Sequence, residues 1–127
     1  MALTIVISDR DAATKLVTVV GKLDTTTSPQ FDEDVAPALS AGASVTVLDL
    51  ADLSYISSAG LRSVFKARKM MESKGGALLL VNVQPQVQKV FEIVKAMPVQ
   101  TVFRSVTELD QYLDYMQKKV KDGAEPT

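Results

Sequence analysis

The stretch that decides the fold is VTVLDLADLSYISSAGLRSV, residues 45–64. It opens on a near-continuous apolar run at 45–50, which is typical of a central strand buried on both faces of a sheet. Residues 51–57 are predicted as a loop. The face of a following helix is marked by Leu61, Val64, Phe65, Arg68 and Met71. Gly75-Gly76 is the predicted end of this helix.

Alternating strands and helices extend outward from this stretch in both directions. Strands are predicted at 3–8, 15–21, 45–50, 77–83 and 99–103. The other helices are predicted to begin at Ser28-Pro29, at Pro85 and at the capping box Ser105-Val106-Thr107-Glu108. The order β-β-α-β-α-β-α-β-α predicts an α/β fold: one mixed sheet of about five strands with an N-terminal hairpin and helices packed on it. Partners engage such sheets at loops after the strand carboxyl ends, here 21–28 and 51–60.

Composition excludes several kinds of chemistry. The chain has 127 residues, with 14 Lys and Arg, 15 Asp and Glu, no His and no Cys. A disulfide, a thiolate or imidazole metal site and a Ser-His-Asp triad are therefore excluded. A formal net charge of −1 provides no general field to attract nucleic acid. The apolar runs fall short of the ~20 residues that span a bilayer, and residues 1–10 do not resemble a signal peptide. We expect a cytoplasmic protein without cofactor or metal.

The ordered motifs resemble the STAS domain, and more narrowly the bacterial anti-sigma factor antagonists. In that family a buried strand leads through a short loop into D-S-S-G-L or a variant, whose first Ser is phosphorylated by a partner kinase. Here Ser58 falls at the phosphoacceptor position, Ala59 replaces the second hydroxyl residue, and Gly60-Leu61 match. Ser57 stands where the family has Asp. Gly21-Lys22-Leu23-Asp24 resembles the family's G-E-L-D.

This resemblance implies a STAS domain at 1–117, followed by a disordered tail at 118–127. It also implies a binding module in a partner-switching circuit rather than an enzyme. The unphosphorylated form would bind an anti-sigma factor that is also a serine kinase of the ATPase type, and so release the client of that kinase. Phosphorylation on Ser58 would abolish binding, and a serine phosphatase would restore it. Such a protein needs one exposed hydroxyl and a surface; we expect a monomer that neither binds nucleic acid nor inserts into membranes.

The chemistry of the motif is compatible with such a switch. At a loop-to-helix junction the Ser58 hydroxyl can cap the helix. A phosphate there would bring about −1.5 to −2 charge beside backbone N–H groups that favour anions. Arg62, four residues on, is placed to pair with it, and the Arg62, Lys66 and Lys69 stripe to meet an acidic partner. The predicted partner-binding set is Asp24, Thr25, Thr26, Ser57, Ser58, Ala59, Gly60, Arg62 and Lys66.

Plainer interpretations remain open. Ser57-Ser58 can be an N-cap pair, residues 24–27 a hydroxyl-rich turn, and the basic stripe a solvated helix face. An alternative function is a non-switching accessory subunit of a lipid-transporting ABC system, or a signalling scaffold. A serine hydrolase is disfavoured, because the full G-x-S-x-G pattern and a His base are both missing.

Overall fold

The computed structural model describes residues 3–96 and 104–123. In chain order its elements are β1 (Thr4–Asp11), β2 (Thr14–Leu23), α1 (Ser28–Ser40), β3 (Val45–Asp49), β4 (Leu53–Ile56), α2 (Ser58–Ser73), β5 (Ala77–Val81), α3 (Pro85–Ala96) and α4 (Val106–Lys121). The predicted α/β architecture with one mixed sheet is confirmed. The strand predicted at 99–103 lies outside the described residues.

The sheet has the order β1-β2-β3-β5. β1 and β2 form an antiparallel hairpin, whereas β2 with β3 and β3 with β5 are parallel pairs. Parallel neighbours need long crossovers, and α1 and α2 provide them. The hairpin is longer than predicted, since β1 runs on through an irregularity at Asp9 and Asp11, where the sequence favours a turn.

β4 is the strand that the sequence pattern did not predict. Its four residues lie within the loop predicted at 51–57. They pair in parallel with the end of β2, with Gly21 opposite Leu53 and Leu23 opposite Ile56. Leu53 and Ile56 are fully buried. This short pairing matters for the site, because it brings the start of α2 beside the end of β2.

The core lies between the sheet and the helices α1 and α2, which also pack on each other. The predicted apolar positions Phe31, Val35, Ala38 and Leu39 of α1 are all buried, as are Leu61, Val64 and Met71 of α2. The prediction for α2 was wrong at Phe65 and Arg68, which are exposed. Among the described residues no helix combines the length and apolarity that crossing a membrane requires.

The last helix, α4, packs mainly on α3 and buries Leu113 and Met116. The capping box is present in a shifted form. Ser105 Oγ accepts the Glu108 N–H at 3.1 Å, but the Glu108 carboxylate accepts from the N–H of Arg104, one residue before the cap, at 3.2 Å. α4 continues to Lys121, beyond the predicted domain end at 117.

Candidate functional site

Two polar connections meet at the carboxyl ends of the parallel strands β2 and β4. The first connection, residues 24–27, joins β2 to α1, and the second connection, residues 57–60, joins β4 to the body of α2. They are adjacent because the Ser57 N–H donates to the carbonyl of Leu23, the last residue of β2, at 2.9 Å. The two stretches singled out from the sequence therefore form one site.

Ser57, and not Ser58, caps helix α2. Ser57 has extended backbone angles, φ −99° and ψ 178°, and its Oγ accepts the Gly60 N–H at 3.2 Å. Its carbonyl accepts the Leu61 N–H at 2.9 Å. The prediction that the Ser58 hydroxyl caps the helix was wrong, since Ser58 is already the first helical residue. Ser and Asp are comparable caps, so Ser57 can fill the capping role of the Asp that the resemblance places at this position.

Ser58 is enclosed rather than displayed. The residue is 9% exposed, against the expectation of an exposed hydroxyl. Its Oγ is buried and has no hydrogen-bond partner within the described part of the chain. Its backbone N–H, in contrast, donates to Asp110 Oδ1 at 2.8 Å. The candidate phosphoacceptor is thus buried, and α4 reaches its backbone through Asp110.

Asp110 and Gln117 are site residues that the sequence reasoning missed. Gln117 is 3% exposed, and its side-chain amide bonds both backbone groups of Ile56. Its Oε1 accepts the Ile56 N–H at 3.0 Å, and its Nε2 donates to the Ile56 carbonyl at 2.8 Å. The one available signal was a glutamine next to the inward positions Leu113 and Met116 on an amphipathic helix.

Gly60 is required by close packing at the same corner. A Cβ built on it would lie 2.6 Å from the Leu23 carbonyl oxygen and 2.8 Å from Ile56 Cγ1. Any larger residue would push α2 away from the end of β2. Gly60 therefore sets the distance between the two connections and positions the site.

The polar groups of the first connection form hydrogen bonds with one another and with the adjacent end of β2. Asp24 Oδ1 accepts the N–H groups of Thr26 at 2.9 Å and of Thr27 at 3.1 Å. Thr27 Oγ1 donates to the Lys22 carbonyl at 2.8 Å and accepts the Asp24 N–H at 2.9 Å. The hydroxyl-rich-turn interpretation is therefore right for Asp24, and Thr27 is a structural member that was not predicted. Thr25 and Thr26 are exposed.

The basic stripe on α2 is solvated, as its plainer interpretation predicts. Arg62, Lys66 and Lys69 are all exposed. Lys66 Nζ lies 3.8 Å from Asp32 Oδ2 with its side chain 62% exposed, so the pair adds little stability. Of the predicted partner-binding set, Thr25, Thr26, Arg62 and Lys66 are exposed, Asp24 and Ala59 are half-buried, and Ser57, Ser58 and Gly60 are buried.

The electrostatics of the site are negative around Tyr55. Burial raises the pKa of the Tyr55 hydroxyl to about 12, and the carboxylates of Asp114, Asp110 and Asp24 add to the shift. Tyr55 therefore stays neutral at physiological pH. Lys22 Nζ lies 5.9 Å from the centre of its ring. Within residues 3–96 and 104–123, no group of three or more acidic side chains is placed to hold a metal ion.

Comparison with known proteins relates this chain to one family. A model described as the STAS domain matches residues 4–109. The anti-sigma factor antagonist BtrV of Bordetella bronchiseptica is 38% identical over 73 residues, which are 58% of this chain and 63% of BtrV. The aligned region thus spans less than two thirds of BtrV.

A second relative and a solved structure agree with this. The anti-sigma-B factor antagonist of Bacillus subtilis is 31% identical over 77 residues, covering 61% of this chain and 70% of that protein. The structure of the Bacillus cell fate determinant SpoIIAA in the phosphorylated form superposes with a TM-score of 0.59 at 23% identity. The superposition covers 70% of this chain and 81% of that one. At this identity the structural likeness concerns the fold.

Proposed function

Because the chain belongs to the STAS domain family, we propose that it is an anti-sigma factor antagonist that acts by partner switching. Two relatives above 30% identity carry that name. The observation that carries the proposal is the position of Ser58. It is the first residue of the 16-residue helix α2, where the two connections meet, and its hydroxyl has no hydrogen-bond partner among residues 3–96 and 104–123.

In the proposed cycle the unphosphorylated protein binds an anti-sigma factor that is also a serine kinase of the ATPase type. The Ser58 oxygen attacks the γ-phosphorus of ATP bound to that kinase. A bond forms between Ser58 Oγ and phosphorus, the bond to the β-phosphate oxygen breaks, ADP leaves, and the hydroxyl proton passes to a base of the kinase. Hydrolysis of the phosphoserine by a serine phosphatase regenerates the hydroxyl and inorganic phosphate.

The exposed residues around Ser58 form the proposed contact surface. Thr25 and Thr26 are the exposed residues of the first connection, and Arg62 and Lys66 are exposed residues that follow Ser58 on α2. A phosphate on Ser58 adds about −1.5 to −2 charge at this surface, and the carboxylates of Asp24 and Asp110 already lie around the neighbouring Tyr55. Added negative charge and hydration then disfavour the complex by like-charge repulsion with acidic partner groups.

The direct test pairs this protein with a purified ATPase-type serine kinase as the candidate anti-sigma factor. We expect the wild-type protein to bind it by titration calorimetry, and to gain the mass of one phosphate when ATP is added. Phosphorylated protein should bind about 100-fold more weakly, since like charges brought together cost several kcal/mol.

The matched variants are Ser58→Ala and Ser73→Ala. Ser73 is an exposed serine at the other end of α2. We expect Ser58→Ala to bind the kinase but gain no phosphate, and Ser73→Ala to behave as wild type in both respects. A full phosphate gain in Ser58→Ala would overturn the assignment of Ser58, and failure of the wild-type protein to bind would overturn the proposed role.

A further inference from the structure

Helix α4 is fastened to the strand end and helix start at Ser58 by side-chain hydrogen bonds. Asp110 Oδ1 accepts the Ser58 N–H, and Gln117 pairs with both backbone groups of Ile56. These partners lie 52 and 61 positions along the chain from the groups they bond. α4 therefore satisfies backbone groups that the end of β4 and the first turn of α2 leave open.

Beside these contacts, the Ser58 hydroxyl is in an unusual state. It is nine-tenths buried, and no donor or acceptor among the described residues pairs with it. Buried hydroxyls are nearly always paired, so an unpaired one calls for an explanation. Phosphoryl transfer requires the attacking oxygen in line with the γ-phosphorus and clear of cover. Because it is buried, the Ser58 oxygen does not meet that requirement.

We propose that α4 is a latch over Ser58, that its opening controls access to the Ser58 hydroxyl, and that Asp110 is the positioning residue that holds it shut. The biological meaning of the latch rests on the proposed function. Access to the hydroxyl is a property of this chain alone.

The latch and the modification act on one hydrogen bond. A phosphate on Ser58 places acceptor oxygens beside the N–H that Asp110 already occupies, at a helix N-terminus that favours an anion. Two anions that compete for the same N–H repel each other, so the phosphate displaces the Asp110 carboxylate. By linkage, an open latch favours modification, and modification keeps the latch open. A partner that detaches α4 thereby gains access that a kinase without that contact lacks.

The chain has no cysteine, which allows a clean measurement of access. We would introduce Ser58→Cys, and separately Ser73→Cys as an exposed reference on the same helix. The rate of alkylation by iodoacetamide is followed across pH, and the plateau rates of the two thiolates are compared. Comparing plateaus removes the influence of the Asp110 charge on the thiol pKa.

We expect the Ser58→Cys thiol to react at least ~100-fold more slowly than the Ser73→Cys thiol, since reaction must wait for a local opening. Adding Asp110→Asn should raise the Ser58→Cys rate about tenfold, which is what losing one charged hydrogen bond contributes. The same change should leave the Ser73→Cys rate unaltered. Val35→Ala is the matched control, because it weakens the α1 core away from α4 and should leave the Ser58→Cys rate unaltered.

Equal rates for the two thiols would show that Ser58 is accessible without opening and would overturn the latch. An unchanged Ser58→Cys rate in Asp110→Asn, or an equal acceleration by Val35→Ala, would overturn it as well. Should Ser58→Cys not fold, hydrogen exchange in the otherwise unaltered chain gives the same answer. There, Asp110→Asn should speed exchange of the Ser58 amide about tenfold and leave the β3 amides unchanged; no change at Ser58 contradicts the latch.

These measurements use no kinase, so the two proposals can fail separately. If the thiol rates follow the latch while the wild-type protein binds no kinase, the proposed function fails and the latch stands. If the kinase phosphorylates Ser58 while the thiols react alike, the proposed function stands and the latch fails.

Discussion

The two connections differ in where the partners of their hydrogen bonds lie. The first connection closes on itself: Asp24 and Thr27 satisfy each other and neighbours within five positions of sequence. The second connection pairs its cap, Ser57, locally, but depends on α4 for the Ser58 N–H. The Ser58 hydroxyl has no partner in the part of the chain that the structure describes. A connection whose polar groups are paired by neighbouring residues is a fixed framework. One that depends on a distant helix can change state when that helix moves.

The largest expected effect on stability comes from a substitution that forces the two connections apart. Gly60→Ala should lower the free energy of unfolding by about 3 kcal/mol, because its Cβ would overlap the Leu23 carbonyl oxygen. The gain in helix propensity, about 1 kcal/mol at most, is smaller than this steric cost. Urea unfolding followed by circular dichroism measures the difference.

Gly42→Ala is the control for Gly60→Ala. Gly42 has φ +81° and nothing within 4 Å of a built Cβ. Its replacement should cost only the backbone strain of the left-handed region, about 1 kcal/mol. If Gly60→Ala were no more costly than Gly42→Ala, the close contact between α2 and the end of β2 would be incorrect.

The next largest effect tests the self-contained connection. Thr27→Val keeps the shape of the side chain but leaves the Lys22 carbonyl and the Asp24 N–H unpaired beside it. We expect a loss of about 2 kcal/mol in urea unfolding, since Thr27 is buried. Thr26→Val, on an exposed side chain, should stay within about 0.5 kcal/mol of wild type. Equal effects of the two substitutions would show that the Thr27 network does not hold the first connection.

Periodic elements were predictable because their signal is local. The buried faces of α1 and the hairpin follow from apolar spacing within a few residues. β4 was missed because four residues between polar neighbours carry little strand signal, and their partner is the end of β2, some 30 positions earlier.

The position of the candidate site was predictable, but its hydrogen bonding and burial were not. The order of motifs placed Ser58 at the start of α2, yet two adjacent serines give no sign of which one caps. The contacts of Asp110 with the Ser58 N–H and of Gln117 with the Ile56 backbone could not be foreseen, because both side chains come from another helix and one sequence carries no record of such contacts. Burial of the Ser58 hydroxyl likewise has no local sequence signal. The exposed-hydroxyl expectation failed at this point.

The smallest expected effect tests whether the Asp110 carboxylate serves the start of α2 in place of a carboxylate at position 57. Ser57→Ala should cost about 1 kcal/mol through the lost cap. Ser57→Asp should gain nothing in the wild-type background, because Asp110 already places a carboxylate at this helix start and the two charges repel. With Asp110→Asn also present, the repulsion is gone and Ser57→Asp should stabilise. A double-mutant cycle in urea unfolding should give a coupling of at least about 0.5 kcal/mol. Additive effects would mean that the two carboxylates do not share the helix start, and that Asp110 does not take the place of a carboxylate at position 57.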